Sequence, residues 1–322
     1  ATIYDNPELM KLINEHQIEV NPKDMLGVRV GIINREGTGL ILKFKEHMPE
    51  LAKLMPWADR YHQSVSDGEE LKQTMVDVDL VALTGDYAQC RGAITTAQNL
   101  PNNDKLSIKT GGGHRNAYHR QVRKSVDVER NRKLLEKLVA PELHRYFDLE
   151  ADHLFVIGHE NGHSLGPDNE YQRALGLHRS TIEEEKADTV SIAFMPEYVK
   201  AGVIDGETLK KIYTTWVVYR LFLKAQPLEA HRVGELIHFN FLHDNGAFYF
   251  DENNKLHINF DRFHDVVFAM LKETIEVQLS KSSEKAKAFI DKYTNWGKHS
   301  RYIAEVQKEL GVKNYIVIKD YF

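Results

Sequence analysis

Hydrophobic and polar positions divide the chain into two unlike parts. In the first, apolar residues alternate with polar ones or run in short blocks. "GVRVGII" (27–33) and "GLILKFK" (39–45) read as two strands around the turn "NREGTG". Asn6 and Pro7 look like an N-cap and first helical residue, opening a helix through "ELMKLINEH". Pro49 starts a second short helix, "PELAKLM". "VDVDLVAL" fits either a strand or a short helix. "QNLPNND" and "TGGGHRN" read as loops from their Pro, Gly and Asn content.

From about Tyr118 the period becomes helical. "RQVRKSVDVERNRKLLEKLV" is a charged amphipathic helix, and "EADHLFVIGHENGHSLG" is a second helix stopped at Gly166-Pro167. Ser180 and Thr181 precede three glutamates and then "KADTVSIAFM", the signature of a helix N-terminus. "DGETLKKIYTTWVVYRLFLKA" and "PLEAHRVGELIHFNFLHD" continue the helical pattern. "AFYFDENNKLHINF" reads as a hairpin, two helices cover roughly 260–292, another starts near His299, and "NYIVIKD" closes as a strand. The sum is a mainly α (α+β) chain, a helical lobe with small β elements. We expect a mixed α/β part over 1–92 and a helical domain over 93–322, with no repeat and no clear linker.

Composition narrows the chemistry. The 322 residues include 42% apolar and 28% charged residues, enough for a sizeable core in a soluble chain. The net charge of −5 argues against a nucleic-acid partner, which needs basic surface. No run of 18 apolar residues occurs, so no membrane span is expected. The one cysteine, Cys90, excludes an intrachain disulfide and a cysteine-based zinc cluster. A cytoplasmic location is therefore expected, although the chain opens at Ala1 without Met and an export signal removed earlier would leave no trace. The oligomeric state is not legible.

The candidate chemistry lies in "HENGH". His159 and His163 are four residues apart, so on a helix both imidazoles share one face and can chelate one ion. In zinc hydrolases with this spacing, the glutamate after the first histidine, here Glu160, accepts a proton from the zinc-activated water. The chain holds 16 histidines, so a chance match competes with that reading. A catalytic zinc needs a third ligand and an open position. Downstream stand Glu183, Glu184 and Glu185, and only Glu184 has a carboxylate four residues on, at Asp188. We therefore expect Glu184 as third ligand and Asp188 as the group holding a ligating histidine by its other nitrogen. Glu183 and Glu185 read as a solvated first turn. Gly162 suits close packing near the ion. Cys90 has no evident activating partner. "TGGGHRN" lacks the phosphate-loop pattern, and "HRQVRKSVDVERNRK" is a solvated face of mixed charge.

"HENGH" followed by "EEEKAD" resembles the dipeptidyl peptidase III family of zinc metallopeptidases, whose second motif has the form EExxA(E/D). "NLPNND" is similar to a family segment whose asparagines hold the peptide backbone, which implies substrate binding by Asn99 and Asn102. "EAHRVGELIHFNFL" is similar to a helix with a transition-state-stabilising histidine, which implies that role for His231. The resemblance spans roughly 93–293. The zinc motif has five residues where the family typically has six, and the helix also resembles the branch related to the zinc domain of plant Nudix hydrolase fusions. Family members are longer, so the N-terminal lobe is expected to be shortened. The resemblance implies Zn2+ as cofactor and hydrolysis of peptide bonds near the N-terminus of short peptides. The alternatives are a zinc hydrolase of non-peptide substrates and a non-catalytic peptide-binding module.

Overall fold

The computed structural model describes residues 27–63, 65, 74–85, 97–100, 115–119 and 128–311, together with 11 and 15. Lys11 and Glu15 are helical; the rest of the expected first helix, Asn102, Cys90 and the expected closing strand lie outside the described residues.

Strand β1 (Gly27–Asn34) runs antiparallel to β2 (Thr74–Gly85), with a register irregularity between Val30 and Gly31. β2 pairs in parallel with β4 (Arg115–His119), which pairs antiparallel with β3 (Ala97–Leu100). The order is β1-β2-β4-β3, so strands from before and after residue 92 share one mixed sheet. "VDVDLVAL" is thus a strand, and the expected loops "QNLPNND" and "TGGGHRN" overlap β3 and β4.

The expected strand "GLILKFK" is instead part of helix α1 (Arg35–Glu46). The reason is local. The Asn34 side chain accepts from the Gly37 amide at 2.7 Å, capping a helix where a turn was expected. Ile41 and Phe44 then fall on one face, and both are buried. Phe44 packs on Tyr198 at 4.1 Å between ring centroids. The short helix α2 (Met48–Leu54) follows as expected.

The helical part keeps its expected helices and adds a short one after Pro167, where the pattern predicts none. They are α3 (Val128–Leu138), α4 (Leu149–Gly162), α5 (Asn169–Arg173), α6 (Arg179–Lys200), α7 (Gly206–Tyr219), α8 (Ala230–Asp244), α9 (Phe260–Leu279), α10 (Ser283–Tyr293) and α11 (Lys298–Leu310). The hairpin β5 (Phe248–Phe250) and β6 (Leu256–Ile258) sits between α8 and α9. Caps set several starts: Asp148 accepts from the Glu150 amide, Asp205 from Thr208, and Glu229 from His231 and Arg232. The fold is mainly α with small sheet pieces.

Helix α6 is the axis of this part, with α4, α7, α8 and α9 packed around it. Ile182, Val190, Ile192, Phe194 and Met195 are buried in it, with Trp216 and Phe263 from its neighbours. Two glycines let α4 come close to α6. A Cβ on Gly162 would lie 2.8 Å from the Ala187 carbonyl oxygen, and one on Gly158 would lie 2.3 Å from Ser191 Oγ. Gly162 therefore packs as its position in the motif suggested, and it brings the histidine end of α4 against the glutamate turn of α6. Among the described residues, no helix is long and apolar enough to cross a membrane.

Candidate metal centre

The i, i+4 spacing holds His159 and His163 on one side of α4, with ring centroids 4.7 Å apart. Their Nε2 atoms face each other at 3.1 Å. Glu184 comes in from α6, and its Oε2 lies 3.4 Å from His159 Nε2 and 3.6 Å from His163 Nε2. These three side chains form the one group of metal-ligand geometry among the described residues.

Donor spacing tests whether an ion fits. Ligand atoms about 2.0–2.1 Å from a tetrahedral zinc are roughly 3.3 Å apart. The three observed separations of 3.1, 3.4 and 3.6 Å bracket that value. Glu184 Oε2 is buried and has no hydrogen-bond partner, a state that a cation would relieve. Two imidazole nitrogens and one carboxylate are also the donor set of catalytic zinc sites.

The outer nitrogens of both histidines are held. His159 Nδ1 is 2.6 Å from Asp188 Oδ1, and His163 Nδ1 is 3.0 Å from Glu183 Oε1. A carboxylate at Nδ1 fixes the tautomer that leaves Nε2 free to ligate. Asp188 thus stands where its spacing placed it. Glu183 does not fit the solvated first turn expected for it. Its side chain is 14% exposed and its Oε1 also meets Lys186 Nζ at 2.9 Å. The helix begins at Arg179 with no side-chain cap, so the glutamates lie beyond its first turn. The signal for Glu183 was present: residues 180, 183, 184, 187, 188 and 191 form one helical stripe. Ala187, four residues on from Glu183, is the small residue that admits Gly162.

Glu185 is the second correction. It points away from the site and is fully buried, with one oxygen accepting from Thr189 Oγ1 at 2.8 Å. Burial pushes its carboxyl up to about 8. Its neighbour Glu184 goes the other way. Burial alone would raise it, but the imidazoles of His159, His163 and His231 outweigh that and draw it down to about 2. Burial likewise works against a charged His159, yet Asp188 and Glu184 prevail and hold it well above its ordinary value. The pocket therefore attracts positive charge.

Glu160 is buried beside His159, and its charge acts on that imidazole. His231, at the start of α8, places Nδ1 3.4 Å from Glu184 Oε2 with its ring about half exposed. Asn99 lies on β3 opposite Asn116. β3 packs against α4 and stands at the edge of the sheet among the described strands.

Solved structures share this arrangement of elements. The dipeptidyl peptidase III of Caldithrix abyssi superposes with a TM-score of 0.79 at 23% identity, covering 91% of this chain and 57% of that one. The fold is that of dipeptidyl peptidase III. A second dipeptidyl peptidase III, from Corallococcus sp. strain EGB, gives 0.76 at 18% identity, covering 89% of this chain and 54% of that one. Among curated proteins, Nudix hydrolase 3 of Arabidopsis thaliana is 22% identical over 275 residues, 82% of this chain and 34% of that protein. No protein-family model matches the chain. Both resemblances drawn from the motifs are thereby borne out, and the chain spans little more than half the length of these dipeptidyl peptidase III structures and about a third of the plant protein.

Proposed function

We propose that the chain is a zinc-dependent peptidase that hydrolyses peptide bonds near the N-terminus of short peptides. The observation that carries this reading is the convergence of His159 Nε2, His163 Nε2 and Glu184 Oε2 at tetrahedral ligand spacing, on a dipeptidyl peptidase III fold. These three residues would hold the ion. A zinc ion there supplies Lewis-acid polarisation of a carbonyl and brings water within reach of a carboxylate base.

The remaining roles fall to the chain's own groups. Glu160 takes the proton from the attacking water at its carboxylate and returns it to the leaving amine. Asp188 and Glu183 keep the two imidazoles oriented while charge builds in front of them. His231 reaches the site from the solvent side and donates to the carbonyl oxygen as it becomes negative. Asn99 and Asn102 bind the peptide backbone, each offering a donor and an acceptor. The position of β3, at a sheet edge beside α4, suits pairing with an extended peptide.

The match to a protein named a Nudix hydrolase favours a second reading, in which the same site hydrolyses a non-peptide substrate. Dipeptidyl-arylamides separate the two. The peptidase reading expects arylamine release that a chelator stops and added zinc restores. Stoichiometric zinc with no release from any dipeptidyl-arylamide would overturn it in favour of the second.

A further inference from the structure

Behind each carboxylate that orients a histidine stands a buried cation. Arg220 is 4% exposed, just past the end of α7. Its Nη2 donates to Asp188 Oδ2 at 2.8 Å, while Asp188 Oδ1 is the atom that meets His159. The guanidinium is held in turn. It lies 4.6 Å from the Trp216 ring centroid, and its Nη1 is 3.9 Å from Glu235 Oε1. Lys186 is fully buried. Its Nζ contacts Glu183 Oε1 at 2.9 Å and donates to the Leu165 carbonyl at 2.6 Å, two residues beyond His163. The second oxygen of Glu183 accepts from Gln278 Nε2 at 3.2 Å.

We propose that Arg220 and Lys186 are positioning residues that hold the two imidazoles ready for the metal. The inference rests on the metal-site reading above. A carboxylate bonded at one oxygen alone can turn about its own axis and carry the imidazole with it. At Asp188 the buried Arg220 holds the oxygen that His159 leaves; at Glu183 the buried Lys186 pins the same oxygen that meets His163 while Gln278 holds the other, so each carboxylate's plane is fixed, and with it where Nδ1 and therefore Nε2 point. Burying an arginine and a lysine is costly without such pairing, and here both are paired to the histidine-holding carboxylates. The two chains run Arg220–Asp188–His159 and Lys186–Glu183–His163, so each ligand from α4 has its own anchor. Lys186 also ties the segment after His163 back to α6 through Leu165.

Cobalt(II) provides a probe whose visible absorption reports ligand geometry without turnover. Its affinity and spectrum are measured by chelator competition for the wild type, Arg220→Met, Lys186→Met, Asp188→Asn and the double variant Arg220→Met/Asp188→Asn. Far-UV circular dichroism and metal-free melting check the fold of each. Arg220→Met and Lys186→Met are expected to bind about ten-fold more weakly with a shifted visible band. Arg220→Met should add little to Asp188→Asn, because it acts through that carboxylate. Folded Met variants with wild-type affinity and spectrum would overturn the proposal, as would losses that add in the double variant. If Arg220→Met does not fold, Arg220→Lys takes its place. It keeps the charge but not the planar fork, so a shifted band is expected and an unshifted one overturns the proposal. A wild-type chain that takes up neither cobalt nor zinc would instead overturn the metal reading, and this inference with it.

Discussion

Two faces of α6 put the same side chain to opposite use. Toward α4, Glu184 is held ionised, down near 2, by three imidazoles. Toward α8 and α9, Glu185 is sealed among Thr189, Thr274 and His238 and pushed up to about 8. The residues are adjacent in sequence and identical in chemistry. What separates them is one helical step, about 100° of rotation, and the charge on the neighbours each then meets. The open face gathers negative charge beside the two imidazoles that converge on Glu184. The closed face excludes charge and behaves as core. A run of glutamates therefore carries no single meaning, and its members must be read one by one against the helix face they occupy.

That contrast can be attacked from its strongest consequence downward. Glu160→Gln should keep the metal and lower turnover about 10²- to 10⁴-fold, measured by metal analysis and arylamide kinetics together. Retained activity would remove Glu160 from the chemistry. Glu184→Ala should lose metal affinity by more than about a hundred-fold, because a ligand is gone rather than its support. Glu183→Ala and Asp188→Asn should each weaken the metal by about ten- to a hundred-fold. Indifference to either change would mean that the carboxylates do not orient the histidines.

The closed face predicts an effect on stability. Burial and the nearby Arg220 charge depress His238 from 6.5 to about 3. Between those values the unfolded chain binds a proton that the folded chain does not. The stability concerned is thus present above pH 6.5 and lost as pH falls toward 3, by up to about 1.4 kcal/mol per pH unit. His238→Gln should flatten the fall in unfolding free energy between pH 6.5 and 4, and an unchanged slope would contradict the assignment. Smallest of all should be Glu185→Gln, which removes a charge that this face does not carry at pH 7. Metal affinity unchanged from wild type is expected, measured beside Glu184→Ala. A comparable loss in both would erase the distinction between the faces.

The same helix marks how far the sequence could be read. Long periodic segments such as α4, α8 and α9 were legible, as was the β5–β6 hairpin, because their patterns are local. His159, His163, Glu184 and Asp188 were legible as a constellation, because helical spacing decides which of them can face one ion. Residues 39–45 were misread as a strand, since "LILKFK" satisfies an alternating pattern over a few residues. Only the Asn34 cap and the burial of Ile41 and Phe44 select the helix. Glu183 is harder to read, because it has no carboxylate four residues on and its stripe continues through Ala187 instead. Arg220, Lys186 and His238 had no sequence signal. Their partners come from other helices, and tertiary packing alone brings them together.

His159, His163 and Glu184 are expected to hold one metal ion between them. Equilibrium dialysis against buffered zinc at neutral pH, followed by metal analysis, tests it most directly in the wild type and in Glu184→Ala. One zinc per wild-type chain and almost none in the folded variant is the predicted result. Zinc well below one per wild-type chain, or the same content in Glu184→Ala, would contradict it.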